Sequence, residues 1–339
     1  TLDAVHPFLL RLFSDKDLIP LPFQSFLAPL IAKRRTPKIK EQYAAIGGGS
    51  PILKWTELQG KLMCEALDKL SPQTAPHKHY IAMRYADPLT RDMVKQLKAD
   101  GITRAVGFSQ YPQYSCSTTG SSLNELYRVL KEEDKEGQIQ WSVIDRWFYH
   151  PTLVKAFCSV IEEKLMEFDE KERSDVTILF SAHSLPMDIV NRGDPYPTEV
   201  SSTVNEVMKA LNWSNPYRLV WQSKVGPKPW LGPNTYEAME GMNKNGRKNV
   251  ILVPIAFTSD HIETLFELDL EYAEDAEKLG MNVKRARAFN DDPLFIDSLS
   301  TLVHEHLQNK QNNHPQLAMR CPMCINETCG QMREFFVKK

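Results

Sequence analysis

From residue 77 onward the chain alternates two hydrophobic rhythms. Short stretches rich in Val, Ile, Phe and Tyr predict β-strands: "HYIAMRYA", "TRAVGFS", "IQWSVID", "VTILFSA", "YRLVWQS", "NVILVPIAF" and "NVKRARAF". Most are followed by segments with a helical apolar period, such as "LTRDMVKQLKAD" and "SSLNELYRVLKEE". Repeated strand-to-helix alternation predicts parallel sheet covered on both faces, an α/β fold. The charged stretch "EEKLMEFDEKERSD", residues 162–175, closes one helix and marks a boundary, with three predicted strands before it and four after. Two similar doubly wound halves would leave the first one strand short, and that strand is expected upstream of Thr1.

Both ends break the alternation. "FLLRLFSDKDLIPLPFQSFLAPLIAKRR" joins an amphipathic start to a proline-broken apolar segment ending in Lys33, Arg34 and Arg35. It reads either as a helical hairpin packed on the body or as an apolar lip that meets a membrane surface or a greasy ligand. The tail, "QNNHPQLAMRCPMCINETCGQMREFFVKK", is too short to fold alone, and a metal would supply the missing stability. The divisions are therefore residues 1–170, with the lip in 1–40, then 171–310, then a cysteine-bearing extension at 311–339.

A chain of 339 residues exceeds what one core usually supports, in line with two halves. A formal net charge of -2 lacks the basic field that nucleic acid requires, which sets nucleic acid aside. No uninterrupted apolar run is long enough to span a bilayer. Because the chain opens at Thr1 without methionine, a processed leader or a missing start is expected, and no targeting signal is read. Six cysteines are too few for a disulfide scaffold and point to thiols or metal ligands in a reducing compartment. Cys64 and Cys158, among apolar neighbours, read as buried small hydrophobes.

Three of the six fall in "CPMCINETCG": Cys321, Cys324 and Cys329. That density favours metal binding over coincidence. Zinc would take His314 as a fourth ligand, whereas an iron-sulfur cluster would prefer a fourth thiolate. Cys116, in "QYPQYSCSTTGSS" at a strand-to-helix junction, is the best remaining thiol.

The second half carries the acid-base chemistry. His183 lies just past a very apolar strand, where open α/β sheets gather ligands. Asp260, His261 and Glu263 follow another strand of the same half, and Glu267 and Glu271 repeat Glu263 at four-residue steps, a carboxylate ladder on one helix face. A capping box with a solvated face competes with a ladder that attracts cations or passes protons. The glycines of "AAIGGGSPI" are not followed by Lys-Ser or Lys-Thr, and no strand enters G-x-G-x-x-G, so ATPase and dehydrogenase readings are disfavoured.

These stretches, with "AKRRTPKI", "EQYAAIGGGSPI", "MRYADPLT", "IDRWFYHP", "FSAHSLPM", "WQSKVGPKPWLGP" and "AFTSDHIETLFELD", resemble the ferrochelatase family of animals and fungi almost throughout the chain. The resemblance implies two Rossmann-like halves with a porphyrin cleft between them, and insertion of ferrous iron into protoporphyrin IX with release of two protons. It implies peripheral attachment to the matrix side of the inner mitochondrial membrane and a homodimer. It also implies a 2Fe-2S cluster on Cys116, Cys321, Cys324 and Cys329. His183 would accept a pyrrole proton or handle iron. Glu263, with Asp260 and His261, would orient His183 or receive the proton, and Glu267 and Glu271 would conduct protons or iron. His150 matches a histidine of functional standing in the family. Arg35, Tyr43 and Ser50 match porphyrin-binding positions, Arg34 is a propionate partner, and Arg84, Tyr85, Trp147 and Trp230 would line the cleft.

Departures from the pattern are the absent opening strand with its glycine-proline turn, and Thr301 where some relatives place an aspartate. The rival readings are a non-catalytic tetrapyrrole or iron-sulfur binding protein of the same fold, which would not need His183 beside Glu263, and a cobalt or nickel chelatase, which would not need the tail.

Overall fold

The structure is a computed structural model that describes residues 1–339 apart from 17, 20, 310–314, 318–320, 324–325 and 338–339. Strands β1 (Arg104–Phe108) and β2 (Gln140–Ile144) form a parallel pair. Strands β3 (Thr177–His183), β4 (Tyr217–Gln222), β5 (Asn249–Pro254) and β6 (Asn282–Arg285) form a second parallel sheet in the order β4-β3-β5-β6. Six of the seven predicted strands thus appear, with β3 at the centre. Its residues from Thr177 to Ala182 are buried, and His183 is the first to emerge.

The seventh, "HYIAMRYA", does not form a strand. Residues 79–86 contribute only an isolated bridge from Met83 to Leu89, and among the described residues no strand flanks β1 on the side away from β2. β-rich composition alone does not make a strand; a laddering neighbour does.

One cluster of buried side chains runs across both sheets, from Leu67, Ile144, Trp147 and Phe157 to Ile178, Phe180, Ile251 and Phe295. Helix Pro293–Leu307 follows β6 but packs on helix Ile52–Leu70 and helix Pro151–Leu165, tying the end of the chain to its first half. The loops beyond the strand ends also meet. Gln113 donates to Ile255 O, and Thr258 donates to Gln110 O, so the carboxyl edges of the two sheets face one another.

The amino-terminal region is a helical hairpin. Val5, Leu9 and Phe13 on helix Val5–Ser14 pack against Ala28 and Ala32 on helix Gln24–Ala45, whose small side chains let the helices approach closely. Outside this seam Phe23 and Phe26 are 84% and 71% exposed, so hairpin and apolar lip coexist in one element. In the tail, helix Glu327–Val337 docks through Met332 and Phe336 into a cluster with Met93, Leu123 and Trp141. Packing therefore anchors it.

Candidate active site

The site is built at the carboxyl edge of the larger sheet. Parallel register sets His183 of β3 beside Gln222 of β4. After β5 the chain turns through Ser259, Asp260 and His261 into a π-helix, Glu263–Glu271, where the sequence predicts an α-helix. Its i→i+5 bonding widens each turn, and positions four apart still share a face. Helix Gln24–Ala45 lies against this π-helix, so the amino-terminal hairpin covers the site.

His183 Nδ1 stands 2.7 Å from Glu263 Oε2. Burial disfavours charge on both partners, yet their mutual attraction outweighs it. The imidazole pKa is raised by Glu263, with help from Glu267, and Glu263 is held at about 2 by His183 and His261. An ionised carboxylate only accepts hydrogen bonds, so neutral His183 carries its proton on Nδ1 and presents the Nε2 lone pair. The His183 ring is 39% exposed, and Nε2 meets no protein partner among the described residues.

Glu267 is the next carboxylate. It accepts from Ser223 N at 2.6 Å, from Ser223 Oγ, and from Gln222 Nε2 at 3.1 Å. Burial and the Glu263 charge raise its pKa against those hydrogen bonds. Burial and Glu267 likewise raise that of Glu271, further out. The ladder read from sequence is therefore graded. Its first member is firmly ionised and the next two are readier to take a proton.

Tyrosines and one tryptophan wall the pair. Burial first, then the Glu263 charge, raises the pKa of Tyr43, Tyr111 and Tyr196, which places all three within its field. The Trp230 ring lies 6.4 Å from His183, and its buried Nε1 has no hydrogen-bond partner. Sequence reasoning missed Gln222, Ser223 and Tyr196. The signal for the first two was "WQS" ending a strand at the same sheet edge as His183.

Other predicted residues lie elsewhere. Asp260 faces away into a polar network with Thr264, Asn290 and Arg285 rather than toward His183. His261 is 3.9 Å from Glu263 through Nε2, and its Nδ1 is 2.9 Å from Ser259 O. His150 is buried against Glu305 at 3.1 Å and Thr152 at 2.7 Å, in a pocket closed by Ser298, and the structure does not bring it to His183. Trp147 is 2% exposed, donates to Ser109 O and packs on Phe108 and Phe295, so it is a core residue, not a lining one. Arg84 and Tyr85 both bond Asp15 in a separate polar groove of about 590 Å³ beside helix Val5–Ser14. Arg35 lies 5.8 Å from the Phe13 ring, Arg34 is exposed on the same helix, and Ser50 Oγ accepts from Ile52 N.

The tail brings Cys321 within electrostatic reach of Cys116. Cys116 opens a π turn, Cys116–Gly120, and its amide donates to Asp194. Pro322 packs on Gly193, Met323 N donates to Arg192 O, and Asn124 Nδ2 lies 3.2 Å from Cys329 Sγ. Cys321 and Cys329 both lie within electrostatic reach of Tyr114, and Cys321 of Cys116, whose pKa burial raises. Cys324 and His314 lie outside the described residues. Among the described residues no three His, Cys, Asp or Glu side chains are close enough to hold a metal ion.

A family model described as "Ferrochelatase" matches residues 1–307, nine-tenths of the chain. The chain belongs to the ferrochelatase family. "Ferrochelatase, mitochondrial" of Xenopus laevis is 58% identical, covering 100% of this chain and 83% of that protein. The Homo sapiens protein of the same name is 56% identical over 100% and 81%, and that of Schizosaccharomyces pombe 52% over 99% and 79%. In fold, this ferrochelatase is similar to SirB from Bacillus subtilis, with a TM-score of 0.53 and 14% identity over 75% of this chain and 92% of that one. As a ferrochelatase it is an enzyme that inserts iron into protoporphyrin in haem synthesis, and the non-catalytic alternative is not favoured.

Proposed function

We propose that His183 is the base that strips pyrrole protons from protoporphyrin IX as ferrous iron enters. The observation that carries this is the 2.7 Å His183–Glu263 pair, which fixes the tautomer so that Nε2 is open and basic. Each turnover releases two protons, and one imidazole holds one. Glu267, buried and readier to be protonated than an ordinary carboxylate, takes the proton onward and Glu271 passes it toward solvent. The same carboxylates are hard oxygen ligands suited to ferrous ion in transit. Tyr43, Tyr111, Tyr196 and Trp230 supply a largely apolar wall for the macrocycle, and Arg34 and Arg35, on the helix that carries Tyr43, are the guanidinium partners of its propionates.

The protein acts at the matrix face of the inner mitochondrial membrane as a homodimer, its halves at 1–170 and 171–310. Exposed Phe23, Phe26 and Leu30 beside Lys33 and Arg34 support surface attachment, and no helix among the described residues is long and apolar enough to cross a bilayer. Cys116, Cys321, Cys324 and Cys329 hold a 2Fe-2S cluster. Support comes from Cys321 lying within electrostatic reach of Cys116 and from the buried Asn124 Oδ1, which has no partner among the described residues. When bound, such a cluster supplies a four-thiolate cross-link between tail and body and one-electron redox capacity.

Purified protein should carry the visible absorption of the cluster; a colourless protein with stoichiometric zinc would reject that part. Protoporphyrin should bind to both wild type and His183→Ala, with stopped-flow metallation lost only in the variant. Retained metallation would remove His183 from the chemistry.

A further inference from the structure

Arg285 ends β6, outside every group assigned above. Its guanidinium is 15% exposed, grips Asp269 in a bidentate fork and reaches Asp260 Oδ1 at 3.2 Å. Asp269 lies within the π-helix, and Asp260 just before it. Asp260 accepts from Thr264 Oγ1 at 3.0 Å, on the first turn of the π-helix. It also exchanges two hydrogen bonds with Asn290, through its amide at 2.9 Å and its Oδ2 at 2.8 Å. Asn290 holds a left-handed φ of 50°, and its carbonyl accepts from the buried Gln59 at 2.8 Å. One connected polar network therefore joins helix Ile52–Leu70, the loop after β6, and both ends of the segment that carries Glu263 and Glu267.

A π-helix is rare and forms where surroundings enforce it. Here Glu263 and Glu267 must face β3 and β4 while Asp269 faces β6 on the other side. Among the described residues Arg285 is the one cation in this network that holds a carboxylate at the start of the segment and another well along it. We infer that Arg285 is a positioning residue for metallation: by clamping Asp260 and Asp269 it sets the pitch and rotation of the π-helix that deliver Glu263 to His183 and Glu267 to Ser223. This rests on the reading of His183 as the base, and the two fail separately in the experiment below.

Arg285→Lys keeps the charge but loses the fork, and lysine does not replace arginine at a bidentate site. It should speed amide hydrogen exchange across residues 260–271 and lower kcat about 10-fold or more with the porphyrin KM little changed. The acid limb of kcat/KM should move to lower pH as Glu263 withdraws from His183. The groups that face His183 are Glu263 and, farther off, Glu267, with Tyr196 and Trp230 against the ring. Arg285→Leu separates geometry from charge: loss of a cation alone would move the limb to higher pH, loss of position to lower pH. Wild-type exchange and kcat in Arg285→Lys would overturn the inference. So would a lowered kcat with the limb unmoved, which would leave Arg285 a residue of stability only. Glu263→Gln run in parallel tests the base itself. Should that limb stay in place, the reading of His183 fails while the exchange data still decide the clamp.

Discussion

Two of the molecule's histidine-glutamate pairs share a similar geometry. His183 meets Glu263 at 2.7 Å, and His150 meets Glu305 at 3.1 Å. They differ in what remains for a substrate. His150 is 5% exposed and spends both nitrogens, one on Glu305 and one on Thr152, which in turn donates to Ser298. His183 spends one nitrogen and leaves the other at an opening, 39% exposed, at the edge where the strands end. The carboxylate partner thus does not tell the two sites apart. A second nitrogen left without a partner does, together with a following chain of groups able to carry a proton away. Glu267 and Glu271 continue from Glu263, whereas Glu305 sits on a helix with no such succession described around it.

The contrast can be broken in order of size. Removing the open imidazole in His183→Ala should cost metallation about 100-fold to 10,000-fold, the range of direct proton-transfer catalysis. Glu267→Gln keeps the size and one of the two acceptor oxygens that Ser223 and Gln222 use, but no longer takes a proton. A steady-state loss of about 10-fold is expected, smaller than the roughly 100-fold floor for the base itself. A loss as large as that of His183→Ala would instead make Glu267 the primary acceptor. His150→Asn should leave metallation near wild type and lower thermal stability by about 1 kcal/mol, because it strands half-buried polar groups of Thr152 and Glu305. A large fall in kcat with stability unchanged would erase the distinction between the two pairs.

Much of the larger sheet was legible because its strands are buried on both faces and read as continuous apolar runs, "VTILFSA" most plainly. "HYIAMRYA" has the same composition, but pairing is a property of neighbours and left no mark in the segment itself. The ladder of Glu263, Glu267 and Glu271 was legible from spacing, its π pitch was not, since four-residue steps suit both helices. Asp260 read as catalytic by adjacency alone; the Arg285 guanidinium that it meets lies 25 positions along the chain. Trp147 and His150 looked available because aromatic and imidazole side chains serve equally in cores, and only burial tells them apart. Ser223 was invisible for the converse reason: its role comes from the strand beside β3 and a left-handed φ of 65° that turns its amide onto Glu267.

The central claim is that a carboxylate locks His183 as an open base, and the pH dependence of single-turnover metallation tests it most directly. Glu263 raises the His183 pKa, so the wild-type rate should climb through an acid limb above the ordinary imidazole value as Nε2 loses its proton. In Glu263→Gln that support is gone, and the limb should fall to lower pH together with a slower plateau. A limb that stays put, or that moves to higher pH, would contradict the account.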